Sequence, residues 1–216
     1  MKNLLFLILI FCSTSNAQDY YIHAGKLFDS EKGEMISNMT VIVSDKKIKE
    51  VRKGFKTPKK DDDIVIDLKD STVMPGFIDL HVHIESEYNR EKYMNAFTAE
   101  ESQIAFSSLK FAKRTLMAGF TTVRDLGGSG VNISLRNAIN KGEVIGPRIF
   151  TAGKAIGTTG GHADPTNGWK KSLAGDPGPR QGVINGVDEA RKAVRQRYKD
   201  GADVIKITAT GGVMSI

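Results

Sequence analysis

Two histidines separated by one residue, His81 and His83, follow an apolar run and most directly suggest chemistry. Side chains on a β-strand alternate between its faces, so both imidazoles would share a face with Asp79. Neutral imidazole is the commonest metal ligand, and a nearby carboxylate can orient it. A surface pair on an edge strand is the alternative. The apolar run after Pro75-Gly76 predicts instead a strand buried on both faces, which delivers the pair to a metal site at its C-terminal end.

Lys206 lies within the apolar segment 204–208. Burying a bare ammonium is costly, so this lysine must be paired, neutralised or modified, unless its long stem carries the charge to the surface. A neutral lysine can take up carbon dioxide as a carbamate. The product is a carboxylate on a long arm that could bridge two metal ions.

Three more candidate residues stand at or after predicted strand ends. His162 follows two glycines beyond the strand predicted at 148–152. In parallel α/β folds, ligands and catalytic groups gather on the side where such strands end. His162 is a candidate for the same site as the histidine pair, and the alternative is a loop histidine without a role. Arg124 and Asp125 end the preceding strand. They form either an ion pair that fixes the mouth of the sheet or a contact with substrate.

The elements that must position these residues fall into two regions. Residues 18–74 contain short β-prone segments divided by turn residues, which predict a small all-β unit. Its predicted strands are 20–23, 39–43, 48–51 and 64–68. His23 lies alone in this region and is interpreted as structural or on the surface.

Residues 75–216 alternate strands with helices, which predicts a parallel sheet with right-handed crossovers. A capping box of Thr98 and Glu101 begins the first helix. Four strands are half of a TIM-type (β/α) barrel, so we expect an α/β fold with an incomplete barrel and a chain that is a fragment. The Gly-rich segment 153–185 predicts a functional lid. The predicted strands are 76–83, 120–124, 148–152 and 204–208, and the predicted helices are 98–117, 133–140 and 187–198.

Residues 1–17 have the features of a secretory signal peptide, namely Lys2, a short apolar run and small residues up to Ala17. The run is too short for a membrane anchor. A lipoprotein signal ending at Cys12 is the other alternative, and the bulky Phe11 disfavours it. We therefore expect a secreted or periplasmic protein, cleaved near Ala17 and free of the membrane afterwards.

Composition excludes some classes of function. Cys12 is the only cysteine, so cleavage would leave a mature chain without disulfides or a thiol nucleophile. The net charge of +6 would fall to +5 with the loss of Lys2. The lysines are scattered among acidic residues, which indicates a solvated surface rather than a nucleic-acid site.

Several motifs together resemble the metal-dependent amidohydrolase superfamily. The run from Val73 to His83 carries the likeness, and residues 119–125, 146–149, 160–162 and 201–212 extend it in the right order. The likeness is greatest to the branch that holds imidazolonepropionase-like proteins and Xaa-Pro or Xaa-Arg/Lys dipeptidases.

This resemblance implies a barrel preceded by a small β-sandwich, to which residues 18–74 would contribute the N-terminal part. It implies two divalent metal ions, usually zinc, with His81 and His83 as ligands and Lys206 as a carbamylated bridge. His162 would bind substrate, and Asp79, Arg124 and Asp125 would support the ligands. Further ligands and a general-base aspartate would come from later strands, so no catalytic residue is assigned in this chain.

The activity implied is hydrolysis of a carbon–nitrogen bond by metal-activated water. The signal peptide favours a dipeptide substrate over a cyclic amide of the imidazolone type. A catalytically inactive half-domain, or a metal-binding subunit that pairs with another polypeptide, is the main alternative. A lyase or isomerase on the same scaffold is another, and a homo-oligomer is compatible with each.

Overall fold

The computed structural model describes residues 18–88 and 91–212, so the predicted signal peptide and its cleavage near Ala17 lie outside the described residues. The chain divides into two compact units between Pro75 and Gly76. Within the described ranges, no helix has both the length and the apolar character needed to cross a bilayer.

The first unit is one four-stranded sheet. Its strands pair in the order β3-β2-β1-β4, with β1 antiparallel to β2 and parallel to β4. Each strand covers a predicted segment and extends beyond it, because the hydrogen-bonded pairing continues into the polar turn residues. The strands are β1 (Tyr20–Asp29), β2 (Glu34–Ser44), β3 (Lys47–Lys53) and β4 (Ile64–Val73).

His23 belongs to the interior of this first unit. It is buried, its Nε2 lies 2.9 Å from the carbonyl oxygen of Lys56, and its ring packs against Phe55 at 5.3 Å between centroids. These contacts agree with a structural role for His23.

The second unit is an α/β fold with a parallel three-stranded sheet in the order β5-β6-β7. Side chains of the sheet and of helices α2 and α3 share a core that includes Ala112, Val123, Leu135 and Ile149. The strands are β5 (Phe77–Val82), β6 (Phe120–Asp125) and β7 (Arg148–Thr151), and the helices are α1 (Glu91–Thr98), α2 (Glu101–Met117), α3 (Val131–Asn140), α4 (Lys171–Ala174) and α5 (Val187–Asp200).

The helix predicted from Thr98 begins at Glu101 in the structure, and a separate helix, α1, precedes it. Thr98 is the last residue of α1, where its hydroxyl donates to the Met94 carbonyl at 3.1 Å. The capping box of α2 consists of Glu100 and Gln103, and the Gln103 side chain accepts the Glu100 N–H at 2.9 Å. The prediction placed the box two residues early, because Thr98 and Glu101 match the usual Ser/Thr-x-x-Glu/Gln pattern, whereas Glu100 is not a usual first residue of it.

The strand predicted at 204–208 is not a regular strand. The segment touches its neighbour at two separate places, since Asp203 N–H donates to the Thr151 carbonyl at 2.8 Å and Ile207 forms an isolated bridge with Ile156. Between these places the neighbouring chain turns at Gly153, whose φ is +64°. A continuous ladder therefore cannot form.

Strand β5 is not buried on both faces, contrary to the sequence prediction. Ile78 is 62% exposed and Leu80 is 56% exposed. The physical reason is position, because β5 is an edge strand of its sheet and the described residues place no element over these two side chains.

Candidate functional site

The predicted metal-ligand pair stands at the carboxyl end of β5. His81 is in the strand and His83 is the first residue beyond Val82. Their ring centroids are 5.5 Å apart and the rings are inclined at 63°. Both imidazoles line one cavity of about 670 Å³. The alternation of side chains along β5 thus brings the pair together as expected.

The orientation of His83 is fixed by the loop after β6. Its Nδ1 lies 2.8 Å from the carbonyl oxygen of Gly127. A carbonyl can only accept a hydrogen bond, so Nδ1 carries the proton and the lone pair is on Nε2. Gly127 is held in turn, because its N–H donates to Asp125 Oδ1 at 3.1 Å. This is the arrangement by which outer groups orient a metal-binding histidine.

Asp79 and Arg124 both bind the backbone at the end of β5. Asp79 Oδ1 accepts the backbone N–H of His81 at 2.9 Å. Arg124 Nε donates to the Leu80 carbonyl at 2.8 Å. These bonds fix the path of the strand where His81 projects, so both residues support the histidine pair through its backbone.

Asp125 is fully buried, and its Oδ2 has no hydrogen-bond partner among the described residues. Burial, with a smaller contribution from the negative charge of Glu85, raises the pKa of Asp125 to about 6 against the opposing effect of the Gly127 N–H. Desolvation disfavours the charged carboxylate. The Asp125 carboxyl, which binds the Gly127 N–H, therefore titrates near pH 6 rather than near pH 4.

Glu85 has a role that the sequence analysis missed. It is 8% exposed, and its two carboxylate oxygens accept the N–H groups of Ser129 at 2.6 Å and Asn132 at 2.7 Å. It thereby satisfies free donors at the start of α3, where a negative charge is favourable. Gly128 allows this approach, since a Cβ there would lie 2.6 Å from the carboxylate. The acid two residues after His83 was the available signal.

Lys206 lines the same cavity as the two histidines. Exposure alternates along this extended segment, so Lys206 and Thr208 are half-buried while Ile205 and Ile207 are exposed. The Lys206 carbonyl accepts the Ile156 N–H at 2.9 Å, which fixes the backbone. Two effects lower the pKa of His81 and favour its neutral form: partial burial is the larger, and the positive charge of Lys206 is the second.

His162 is exposed and also lines this cavity. The loop that carries it is shaped by the buried Asp164, which accepts the Gly160 N–H at 2.8 Å and the Thr166 N–H at 2.9 Å. Burial acts to raise the pKa of Asp164, but these hydrogen bonds outweigh it and the pKa is lowered. The loop is therefore an ordered wall of the cavity, and it contains the short helix α4.

The cavity has lining residues that the sequence did not suggest. Lys154 follows β7, and Trp169 and Asp176 come from the long loop. The Trp169 ring packs against Phe97 with 4.6 Å between centroids. An isolated lysine, tryptophan and aspartate in a loop have no spacing signal, and only the folded loop brings them to the histidines.

The side chains that face the cavity supply few metal donors. Among the described residues, no three His, Cys, Asp or Glu side chains are close enough to share an ion. His81 and His83 supply two neutral imidazoles, and Lys206 faces the same cavity. The set fits a metal when Lys206 carries a carbamate, since that modification adds a carboxylate to the two imidazoles.

The chain was compared with known proteins. Residues 72–216 match the Amidohydrolase family. An ochratoxinase from Aspergillus niger is 34% identical over an alignment of 227 positions, which covers 96% of this chain and 45% of that protein. A crystal structure of a Xaa-Pro dipeptidase with methionine bound in its active site is 49% identical, with a TM-score of 0.85 over 92% of this chain and 48% of that one.

A second solved structure, a prolidase in complex with N-methylphosphonate-L-proline, is 36% identical with a TM-score of 0.75, and it covers 92% of this chain and 48% of that one. This chain thus spans about half the length of each of these relatives. The family match covers most of the chain and includes every candidate site residue from Asp79 to Lys206. The chain therefore belongs to the amidohydrolase family.

Proposed function

We propose that this chain carries part of the active site of a metal-dependent hydrolase that cleaves the amide bond of dipeptides of the Xaa-Pro or Xaa-basic type. The observation that carries the proposal is the shared cavity of His81, His83 and Lys206. Support for an amide substrate comes from the relatives, two of which are described as a Xaa-Pro dipeptidase and a prolidase. Methionine and the prolyl phosphonate bound to them both carry a free carboxylate.

The residues of this chain have distinct roles in the proposed site. His83 presents Nε2 to the metal because its Nδ1–H is bound to Gly127. His81 is the second imidazole ligand, and Lys206 becomes a ligand when its neutral amine adds to carbon dioxide and loses a proton. Two divalent ions, zinc in this proposal, supply an activated water and polarise the amide carbonyl when bound. His162 contacts the carbonyl or carboxylate of the substrate.

The architecture that goes with this function is also a proposal. The three parallel strands and the segment at Ile207 would form part of a TIM-type barrel, and the sheet of residues 20–73 would belong to a β-sandwich. The relatives support this, since the chain superposes on half of their length. The aspartate that acts as general base would lie in the remainder of the protein.

Secretion is the part of the proposal that rests on residues 1–17 alone. The apolar run and the small residues up to Ala17 support cleavage and export to the periplasm or medium. Mass spectrometry of the protein purified from its source tests this. An N-terminus at Gln18 is expected, and an intact Met1 in exported protein would contradict cleavage.

A second candidate function is a metal-binding half that needs a partner polypeptide. The exposed Ile78 and Leu80 on the edge strand β5 favour it, because such an edge is a ready surface for association. A cyclic-amide hydrolase is a third candidate on the same site, and the dipeptidase relatives favour it less.

The experiment combines metal analysis with a hydrolysis assay on the purified full-length protein that contains this chain. We expect zinc to bind and Xaa-Pro dipeptides to release proline. Lys206→Met is expected to abolish uptake of isotope-labelled bicarbonate, while Lys110→Met on the surface of α2 keeps it. Metal binding without hydrolysis would support the partner-dependent half, and failure of the wild-type chain to bind metal would contradict both candidates.

A further inference from the structure

Lys154 has a place in the cavity that the metal site leaves unexplained. It follows β7, is half-buried and lines the cavity with His81 and Lys206. Among the residues that the structure describes, its Nζ has neither a hydrogen-bond nor an ion-pair partner. A partly desolvated ammonium without a partner is unfavourable by itself and is well placed to bind an anion.

The backbone of Lys154 is held rigidly from behind. Arg197 of α5 is 1% exposed, and its guanidinium donates to the Lys154 carbonyl at 3.3 Å and to the Arg180 carbonyl at 2.6 Å. The two ends of the loop also pair directly, because Gly157 N–H donates to the Gly182 carbonyl at 2.9 Å. The Lys154 side chain therefore starts from a fixed point on the wall of the cavity.

The charged side chains that line the cavity are mostly cationic, so they favour an anionic group on a ligand. Within residues 18–88 and 91–212, Asp176 is the only carboxylate in the lining, and it is exposed. If Lys206 is carbamylated and binds metal, Lys154 is the one ammonium left in the lining of the described structure. The charged and titratable lining groups are His81, His83, Lys154, His162, Asp176 and Lys206.

We propose that Lys154 binds the free carboxylate of the substrate and makes the cavity selective for ligands with an unblocked C-terminus. This deepens the proposed function and rests on it, because the dipeptides proposed as substrates carry that carboxylate. An ammonium on a fixed backbone forms a charge-assisted hydrogen bond with a carboxylate but not with a neutral amide.

The test compares N-acetyl-L-proline with N-acetyl-L-prolinamide by isothermal titration calorimetry in the presence of zinc. We expect the wild-type chain to bind the acid roughly tenfold more tightly than the amide, as for a hydrogen bond to a charged group. Lys154→Met is expected to remove this preference, and Lys154→Arg to keep most of it. Lys170→Met is the matched control, since it removes an exposed charge from the same loop without touching the cavity.

The inference is overturned if Lys154→Met retains the preference while circular dichroism shows a folded protein, or if the wild-type chain shows no preference. Hydrolysis of methionyl-proline is measured separately. Acid selectivity that depends on Lys154 without hydrolysis would reject the dipeptidase activity and keep the carboxylate site. Hydrolysis with unchanged selectivity in Lys154→Met would keep the activity and reject the carboxylate site.

Discussion

The Nδ1–H of His83 donates to the carbonyl oxygen of Gly127 at 2.8 Å, and this bond decides which nitrogen of the imidazole faces the cavity. The Gly127 N–H is in turn fixed by Asp125. The last residue of β6 and a residue of the loop after it thereby set the orientation of a histidine at the end of β5. The geometry of the candidate site depends on the pairing of these strands.

Asp125 gives a prediction on pH. Its pKa is about 6 in the folded protein against an ordinary 3.8, so the folded state holds its proton more tightly than the unfolded state. Stability from this group is complete at low pH and is lost as the pH rises from about 4 through about 6. Asp125→Asn cannot ionise and keeps an acceptor for Gly127. We expect it to exceed wild type in stability by up to about 3 kcal/mol above neutrality.

Urea unfolding of the metal-free protein at several pH values measures this difference. The two curves should converge below about pH 3, where the wild-type carboxyl is mostly protonated in both states. A stability difference between Asp125→Asn and wild type that is independent of pH would show that folding leaves the pKa of Asp125 unshifted.

Glu85 is predicted to stabilise the start of α3. Glu85→Ala removes two acceptors and leaves the Ser129 and Asn132 N–H groups without partners, at a cost of about 1–3 kcal/mol. Glu87→Ala is the control, because the Glu87–Arg114 ion pair is exposed and should contribute less than about 1 kcal/mol. Equal losses in the two variants, measured by thermal unfolding, would contradict the capping role.

Arg197 is predicted to order the cavity loop. Arg197→Ala leaves the carbonyls of Lys154 and Arg180 without this donor and removes a buried side chain, so it should destabilise the protein by about 2–4 kcal/mol. Limited proteolysis should show faster cleavage within 158–182 than in wild type. Arg191→Ala on the exposed side of α5 should change neither readout, and an unaltered loop in Arg197→Ala would reject the role.

Substitutions of the three histidines in the cavity are predicted to distinguish metal binding from substrate binding. We expect His81→Ala or His83→Ala to lose at least about tenfold in zinc affinity, since each removes a proposed ligand. His162→Ala should retain zinc and bind N-acetyl-L-proline more weakly. Zinc affinity measured by competition with a chelator and ligand affinity measured by calorimetry give the two readouts. Unchanged ligand affinity in His162→Ala would remove it from the substrate site.

Local pattern was sufficient for the elements whose signal lies within a few residues. The period-two spacing of His81 and His83 placed them on one side of β5, and the strand–helix alternation predicted a parallel sheet. The sequence pattern did not locate the start of α2, because two pairs of residues there could each form a capping box. Thr98-Glu101 and Glu100-Gln103 have the same capping spacing, and the choice between them depends on where α1 ends.

The sequence by itself determined the family, the α/β class and the residue types that could hold a metal, because these follow from short-range spacing and side-chain chemistry. Only the tertiary structure showed that Lys206 shares a cavity with the histidines, that Glu85 caps α3, and that Lys154 faces the same space. Such contacts join residues more than forty positions apart. They depend on how strands and loops pack against each other, and the spacing of residues along a single helix or strand carries no information on that.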